Sequence, residues 1–335
     1  VTELLVGGYG PDMDGRAAGI ATAVSADAAS ASPFRITGDG PACASPSWVA
    51  VRGDRMVATL EGAGELAWFV RDGDGWRADG TTSLEGRWPC HAAFLDDDTV
   101  AVACYGDGAV VVARHGEARP AQRLEGTGSG PLPAQEAPHA HHVHVLDDGR
   151  VLTLDLGADL LHVHAREADG LLRRVTSVAL PAGTGPRDLH ALPTGELALL
   201  GEWSCEVVVL EAAGAEFEIV QILPLPGATP GDDQAAALGV SQDGRFLYAG
   251  IRGADRVAVV AIEDDGLRPI ASVLTAGRWP RHLLVDGDLL HVANQLSGAV
   301  ATFRIGADGI PVALATTATP SPTCIVRNDR EPLLS

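Results

Sequence analysis

A repeat constrains this chain more than any other feature. The segment Gly86-Arg87-Trp88-Pro89-Cys90-His91 returns as Gly277-Arg278-Trp279-Pro280-Arg281-His282. Each copy leads into a short apolar run, a turn, a second apolar run and a Gly-containing loop. With that template, Ser45-Pro46-Ser47-Trp48, Ala137-Pro138-His139-Ala140, Gly185-Pro186-Arg187-Asp188 and Ser321-Pro322-Thr323-Cys324 read as further anchors. Pro46, Pro89, Pro138 and Pro186 lie 43, 49 and 48 residues apart. Pro186 to Pro280 spans 94 residues, two units of 47, and Pro322 follows 42 later. The unit lacking its proline falls near Gln234. Seven anchors at a period of roughly 48 residues lie in the range of β-propeller blades.

Within a unit the strands are short. Val49 to Val51, Met56 to Leu60 and Leu66 to Val70 form a meander that turns at Arg52-Gly53-Asp54-Arg55. Val143 to Leu146, Val151 to Asp155 and Leu160 to His164 repeat it, turning at Asp147-Asp148-Gly149-Arg150. Val- and Leu-rich runs bounded by Asp-Gly turns are hairpin signals, and no window sustains a 3.6-residue period, so helix should be nearly absent. After Pro322 only one strand remains, whereas the N-terminal end supplies Glu3 to Val6 and Gly19 to Val24 without an anchor. The expectation is an all-β, seven-bladed propeller of four-stranded antiparallel blades, one domain over residues 1–335. Blade seven is shared between residues 1–30 and 310–335, which removes a free sheet edge.

Composition narrows the function classes. A net charge of −20 argues against nucleic acid and anionic membranes as partners. All 24 basic residues are arginine, which excludes lysine Schiff bases and Walker lysines. Five cysteines without a C-x-x-C pair make a disulfide framework or a structural zinc site unexpected. Val1 to Gly10 carries no basic-then-apolar leader and no run approaches 18 apolar residues, so the expected compartment is cytoplasmic. Oligomeric state is not legible.

Propeller geometry selects a face. If each proline opens the innermost strand, side chains just after it form one ring about the axis: Ser47, Cys90, His139, Arg187, a residue within 234–237, Arg281 and Thr323. The second strand returns to the same rim some 15 residues later. It brings a second ring of Tyr9, Glu61, Tyr105, Asp155, Glu202, Arg252 and Gln295.

The units Pro89-Cys90-His91, Gln135-Glu136-Ala137-Pro138-His139-Ala140-His141, Gly185-Pro186-Arg187, Trp279-Pro280-Arg281 and Pro322-Thr323-Cys324-Ile325 resemble those of the seven-bladed lactonase family. That family includes 6-phosphogluconolactonases of the propeller type and carboxy-muconate cyclases. The resemblance runs from Leu4 to about Val326. It implies an active-site histidine at His139, arginines at Arg187 and Arg281, and an acid at Glu202. Ala237 stands where the family commonly has Glu, and Gly201 where Asn is usual.

The same residues suit lactone opening on chemical grounds, which requires a base for water, donors for an oxyanion and an acid for the leaving alkoxide. His139 is a candidate base, Glu202 an orienting acid, and Arg187 and Arg281 fixed positive charges for an oxyanion or an anionic substrate. Tyr9, Glu61, His91, Tyr105, His141 and Gln295 are candidate substrate-binding residues. The substrate expected is a small anionic sugar lactone such as 6-phosphogluconolactone. A cycloisomerase acting on a dicarboxylate and a non-catalytic binding propeller are the alternatives. In His139-Ala140-His141-His142-Val143-His144 strand alternation splits the imidazoles between two faces, so no metal and no cofactor are expected.

Overall fold

Val-, Leu- and Ala-rich strands only three to nine residues long cannot bury themselves as isolated hairpins, so the chain stacks them. The computed structural model describes residues 1–30, 32–214 and 216–329. Among these residues, 28 strands form seven four-stranded antiparallel sheets, and helix is confined to two single turns at Pro11–Met13 and Pro133–Gln135. Blades one to six occupy residues 46–83, 89–124, 140–179, 186–224, 234–274 and 280–318, each with its first strand innermost. Blade seven takes Pro322–Arg327 as its inner strand and Thr2–Gly8, Ala21–Ser25 and Phe34–Asp39 as the others. The sheet therefore extends to Asp39 rather than residue 30, and Pro311–Ala318 belongs to blade six.

Burial explains the differing patterns of the strands. Second strands are packed on both faces and are buried along their whole length, as in Thr99–Cys104 and Leu289–Asn294. Outermost strands alternate instead, as in Leu172–Ala179. Cores lie between neighbouring sheets: Leu200 and Val207 of blade four pack with Leu247 and Ala258 of blade five. The ring is closed by an antiparallel ladder in which Leu4 to Gly8 pair with Arg327 back to Pro322. Ile325 sits in that seam with Leu4, Val6 and Phe34 of its own blade and Ala293 and Val300 of blade six.

Polar side chains are also taken into the blades. His291 bridges Thr302 and Ser25, both at 2.9 Å, across the blade six–seven interface. His164 is 2.9 Å from Thr153 and His162 is 2.7 Å from Ser177. Burial pushes these three imidazoles down to about 4 for His291 and His162 and about 3 for His164.

Two outcomes follow from this packing. Ile325→Ala should cost about 2–5 kcal/mol in urea unfolding, by loss of transfer and cavity terms, whereas Ile222→Ala, on an outermost strand with 41% exposure, should change stability by at most about 0.5 kcal/mol. The three depressed histidines set a pH window. Between the unfolded value near ~6.5 and the folded values of about 3 to 4, only the unfolded chain takes up these protons. Their contribution is complete above pH ~6.5 and is lost as pH falls toward ~4, so the thermal midpoint should drop across that interval.

Candidate active site

Five of the seven inner strands open with the same backbone device. The residue before the strand is left-handed in these five blades (Ser45, Trp88, Gly185, Trp279 and Ser321). Its carbonyl accepts the N–H of the residue where the second strand returns: Glu61 to Ser45, Tyr105 to Trp88, Glu202 to Gly185, Gln295 to Trp279 and Tyr9 to Ser321. A bulge follows at once. The ladder skips Ser47, Cys90, His141, Arg187 and Arg281, and in blade five the two residues Ala236 and Ala237. A bulge re-aims its side chains. Here it turns two consecutive residues of blades one to six, and Thr323 of blade seven, onto the axis, where they line a narrow waist of about 30 Å³.

The register corrects one expectation. In blade three Ala140 pairs with Asp155 as Pro46 pairs with Leu60, so the strand starts two residues after Pro138. His141 therefore occupies the ring position expected for His139, and Leu156, whose N–H bonds to the His139 carbonyl, takes the return position expected for Asp155. Proline is tolerated at a strand start because its missing N–H costs no ladder bond, but nothing requires it there. Asp155 serves as a turn cap instead, accepting the N–H groups of His139, Gly157 and Ala158 at 2.8–3.1 Å.

Most of the candidate residues do meet. Glu202 is buried against two guanidiniums, Arg187 through Nη1 and Arg252 through Nη2 at 2.9 Å, both on Oε2. Burial alone would raise its carboxyl, but Arg252 and Arg187 outweigh that and hold it below the usual carboxylate range. Glu61 accepts the Tyr9 hydroxyl at 2.8 Å and lies 3.8 Å from Arg281. The Arg281 guanidinium covers the Tyr9 ring at 4.7 Å and reaches Gln295 at 3.5 Å. Burial pulls Arg252 down to about 10, with Glu202 opposing and Arg187 and Arg281 adding to the pull. Blade five offers only alanines at the waist. Arg187 Nε donates to the Ala236 carbonyl at 2.9 Å, and Arg252 donates to Ala235 at 3.4 Å, so two arginines occupy the room that small side chains leave.

The two histidines of the motif differ. His139 is half-buried, stacked on Tyr105 at 4.5 Å, with Nδ1 2.7 Å from the Tyr105 carbonyl. His141 is buried in the waist edge-on to Tyr105, and its Nδ1 has no hydrogen-bond partner. Burial first, then Arg187 and Arg281, push His141 well below the ordinary imidazole range, so it is neutral near pH 7. His91, placed with these residues by sequence, faces the opposite end of the channel with Trp48, His142, Asp188 and His282. The signal for that second set was present as the residue two places after each strand start.

Three guanidiniums against two carboxylates leave one positive charge at the mouth of a chain carrying −20. Removing the shared carboxylate tests the arrangement. Glu202→Ala should cost about 3–5 kcal/mol in urea unfolding, because both guanidiniums lose a buried counter-charge.

Comparison with known proteins agrees with this geometry. The family described as Lactonase, 7-bladed beta-propeller matches residues 3–327. The chain is 31% identical over 258 residues to a 6-phosphogluconolactonase of Bacillus subtilis, covering 72% of this chain and 74% of that protein. A crystal structure of a Lactobacillus plantarum protein superposes with a TM-score of 0.89 at 26% identity, covering 98% of this chain and 99% of that one. The periplasmic gluconolactonase of Pseudomonas aeruginosa shares the fold, with a TM-score of 0.88 at 24% identity over 97% of this chain and 98% of that one. The chain thus belongs to the lactonase family of seven-bladed β-propellers.

Proposed function

We propose that the protein hydrolyses a small anionic sugar lactone, with 6-phosphogluconolactone as the first substrate to test. The observation that carries this reading is a neutral, unpartnered imidazole nitrogen, His141 Nδ1, in a waist lined also by Arg187 and Arg281. The family membership and the B. subtilis relative support the reaction class.

In this reading the substrate enters from the rim that carries Tyr9, Tyr105 and Gln295. A water gives its proton to His141 Nδ1 as its oxygen adds to the lactone carbonyl carbon. The carbonyl electrons move onto oxygen, and a guanidinium of Arg187 or Arg281 faces that charge. Collapse of the tetrahedral centre breaks the ring C–O bond, and the alkoxide takes the proton back from His141, leaving a hydroxy acid. A depressed histidine is a weak base but a strong acid once charged, which suits the second proton transfer. Arg252 and Glu202 hold Arg187 in place, and Glu61 with Tyr9 holds Arg281. His139, stacked on Tyr105 at the rim, borders the entrance and contacts substrate rather than the attacking water.

A pH-stat assay over a lactone panel, with a muconate-type dicarboxylate included, tests the assignment. His141→Ala should lower kcat by about 10²–10⁴-fold, the range of a lost acid–base group. Arg187→Ala and Arg281→Ala should each cost about 10²–10³-fold. His139→Ala should act mainly on KM. Equal rates for wild type and His141→Ala would remove this histidine from the mechanism, and turnover of the dicarboxylate alone would replace hydrolysis by cycloisomerisation.

A further inference from the structure

The waist between the two ends of the channel is too small for a sugar ring. Its volume of about 30 Å³ matches the share of one molecule in liquid water, so water is the guest it fits. A buried water needs roughly two to four polar partners that are not already spent. Most side chains lining the waist are spent. Ser47 Oγ lies 3.2 Å from Thr59 Oγ1, and Cys90 Sγ points at carbonyls 3.6–3.8 Å away. His91 and His282 accept, through Nδ1, the N–H groups of Val143 at 3.3 Å and Ile325 at 3.2 Å. Arg187 is tied to the Ala236 carbonyl and to Glu202. Two atoms differ. His141 Nδ1 and Thr323 Oγ1 have no hydrogen-bond partner among the described residues, although the side chains are only 9% and 2% exposed. Leaving a hydroxyl unpaired in such a place is unfavourable.

The fold sets these two groups against each other. Thr323 is the bulged residue of the inner strand Pro322–Arg327, skipped by the ladder between Pro322 and Cys324, as His141 is skipped between Ala140 and His142. The two bulges place them at the same level of the axis, where both line the waist. His141 belongs to blade three and Thr323 to blade seven, with blades one and two between them on the short side of the ring. No two blades of a seven-membered ring stand further apart, so the two side chains approach the waist from opposite sides. Arg187 stands next to His141 in blade four and Arg281 next to Thr323 in blade six, and the alanines of blade five lie between the arginines.

A water in that position has two hydrogens to place. Guanidiniums are donors only and cannot receive them, whereas an imidazole nitrogen and a hydroxyl oxygen can. Resting on the lactonase reading, we propose that Thr323 is a positioning residue for the attacking water: its Oγ1 and His141 Nδ1 each accept one hydrogen of a single water held in the waist. That arrangement leaves a lone pair of the water turned toward the mouth and the lactone carbonyl. On attack the water oxygen bonds to the carbonyl carbon, the proton directed at His141 moves to Nδ1, and the C=O electron pair moves onto the oxygen faced by Arg187 or Arg281. Thr323 neither gives nor takes a proton. Its contribution is orientation of the nucleophile directly beneath the mouth.

The test compares wild type with Thr323→Val and Thr323→Ser. The first removes only the hydroxyl and keeps the β-branched shape; the second keeps the hydroxyl. Thr323→Val should lower kcat for lactone opening by about 10- to 10²-fold with KM unchanged, the signature of lost orientation. Thr323→Ser should recover most of that loss, and the pH dependence of kcat should keep its shape because His141 is intact. A crystal structure of the substrate-free wild type should show one water within hydrogen-bond distance of both His141 Nδ1 and Thr323 Oγ1, and this measurement decides the matter even where Thr323→Val folds poorly. No water at that point, or an anion in its place, would overturn the proposal. So would full activity in Thr323→Val, a loss confined to KM, or an equal loss in Thr323→Ser, each of which leaves the role of His141 standing. A wild type that holds the water yet opens no lactone removes the lactonase reading and retains the water site.

Discussion

Everything in this molecule depends on the ladder that joins Thr2–Gly8 to Pro322–Arg327. Each blade is a wedge whose apolar faces are covered only by its two neighbours, so a row of sheets without that seam would expose a face at each end. The seam also creates the axis. Arg187, Arg281 and His141 lie on three separate inner strands, and they share a waist because the ring is complete.

The bulge at the start of each inner strand then decides what the axis presents. It turns two consecutive residues inward, the first toward the mouth and the second toward the opposite funnel. Adjacent positions consequently serve different chemistry. Arg187 belongs to a charged cluster that holds Glu202, while Asp188, its neighbour, lies 3.1 Å from the buried imidazole of His142. Cys90 lines the waist, and His91 opens into the funnel. Desolvation acts on both ends but with opposite results. At the mouth, Arg252 and Arg187 hold the Glu202 carboxyl below its usual range against burial; in the funnel, burial holds His142, His144 and His282 below the ordinary imidazole range despite Asp188.

Blade number, strand length, the Asp-Gly turns and closure from both termini were legible in the sequence because each is local or periodic. Two rings of polar side chains on one rim were legible for the same reason, and Tyr9, Glu61, Tyr105, Glu202, Arg281 and Gln295 do gather there. The slip at His139 shows where that reasoning stops. Pro138 resembles an anchor, yet the hydrogen-bond register starts at Ala140, and a one- or two-residue shift changes which imidazole reaches the axis. The partnership of Arg187 with Arg252 was equally hidden, since it arises from the room left by Ala236 and Ala237 on another blade.

The amino-acid sequence by itself determined the architecture: a period of about 48 residues, apolar runs and turn residues can satisfy their backbone and bury their faces in few other ways. It also determined the chemical inventory, an all-arginine cationic set and clustered histidines. Only the tertiary structure decided which of those groups share a surface, which are charged and which end of the channel each faces. Those properties depend on bulge register and on packing between strands far apart in the chain, and no local propensity encodes them.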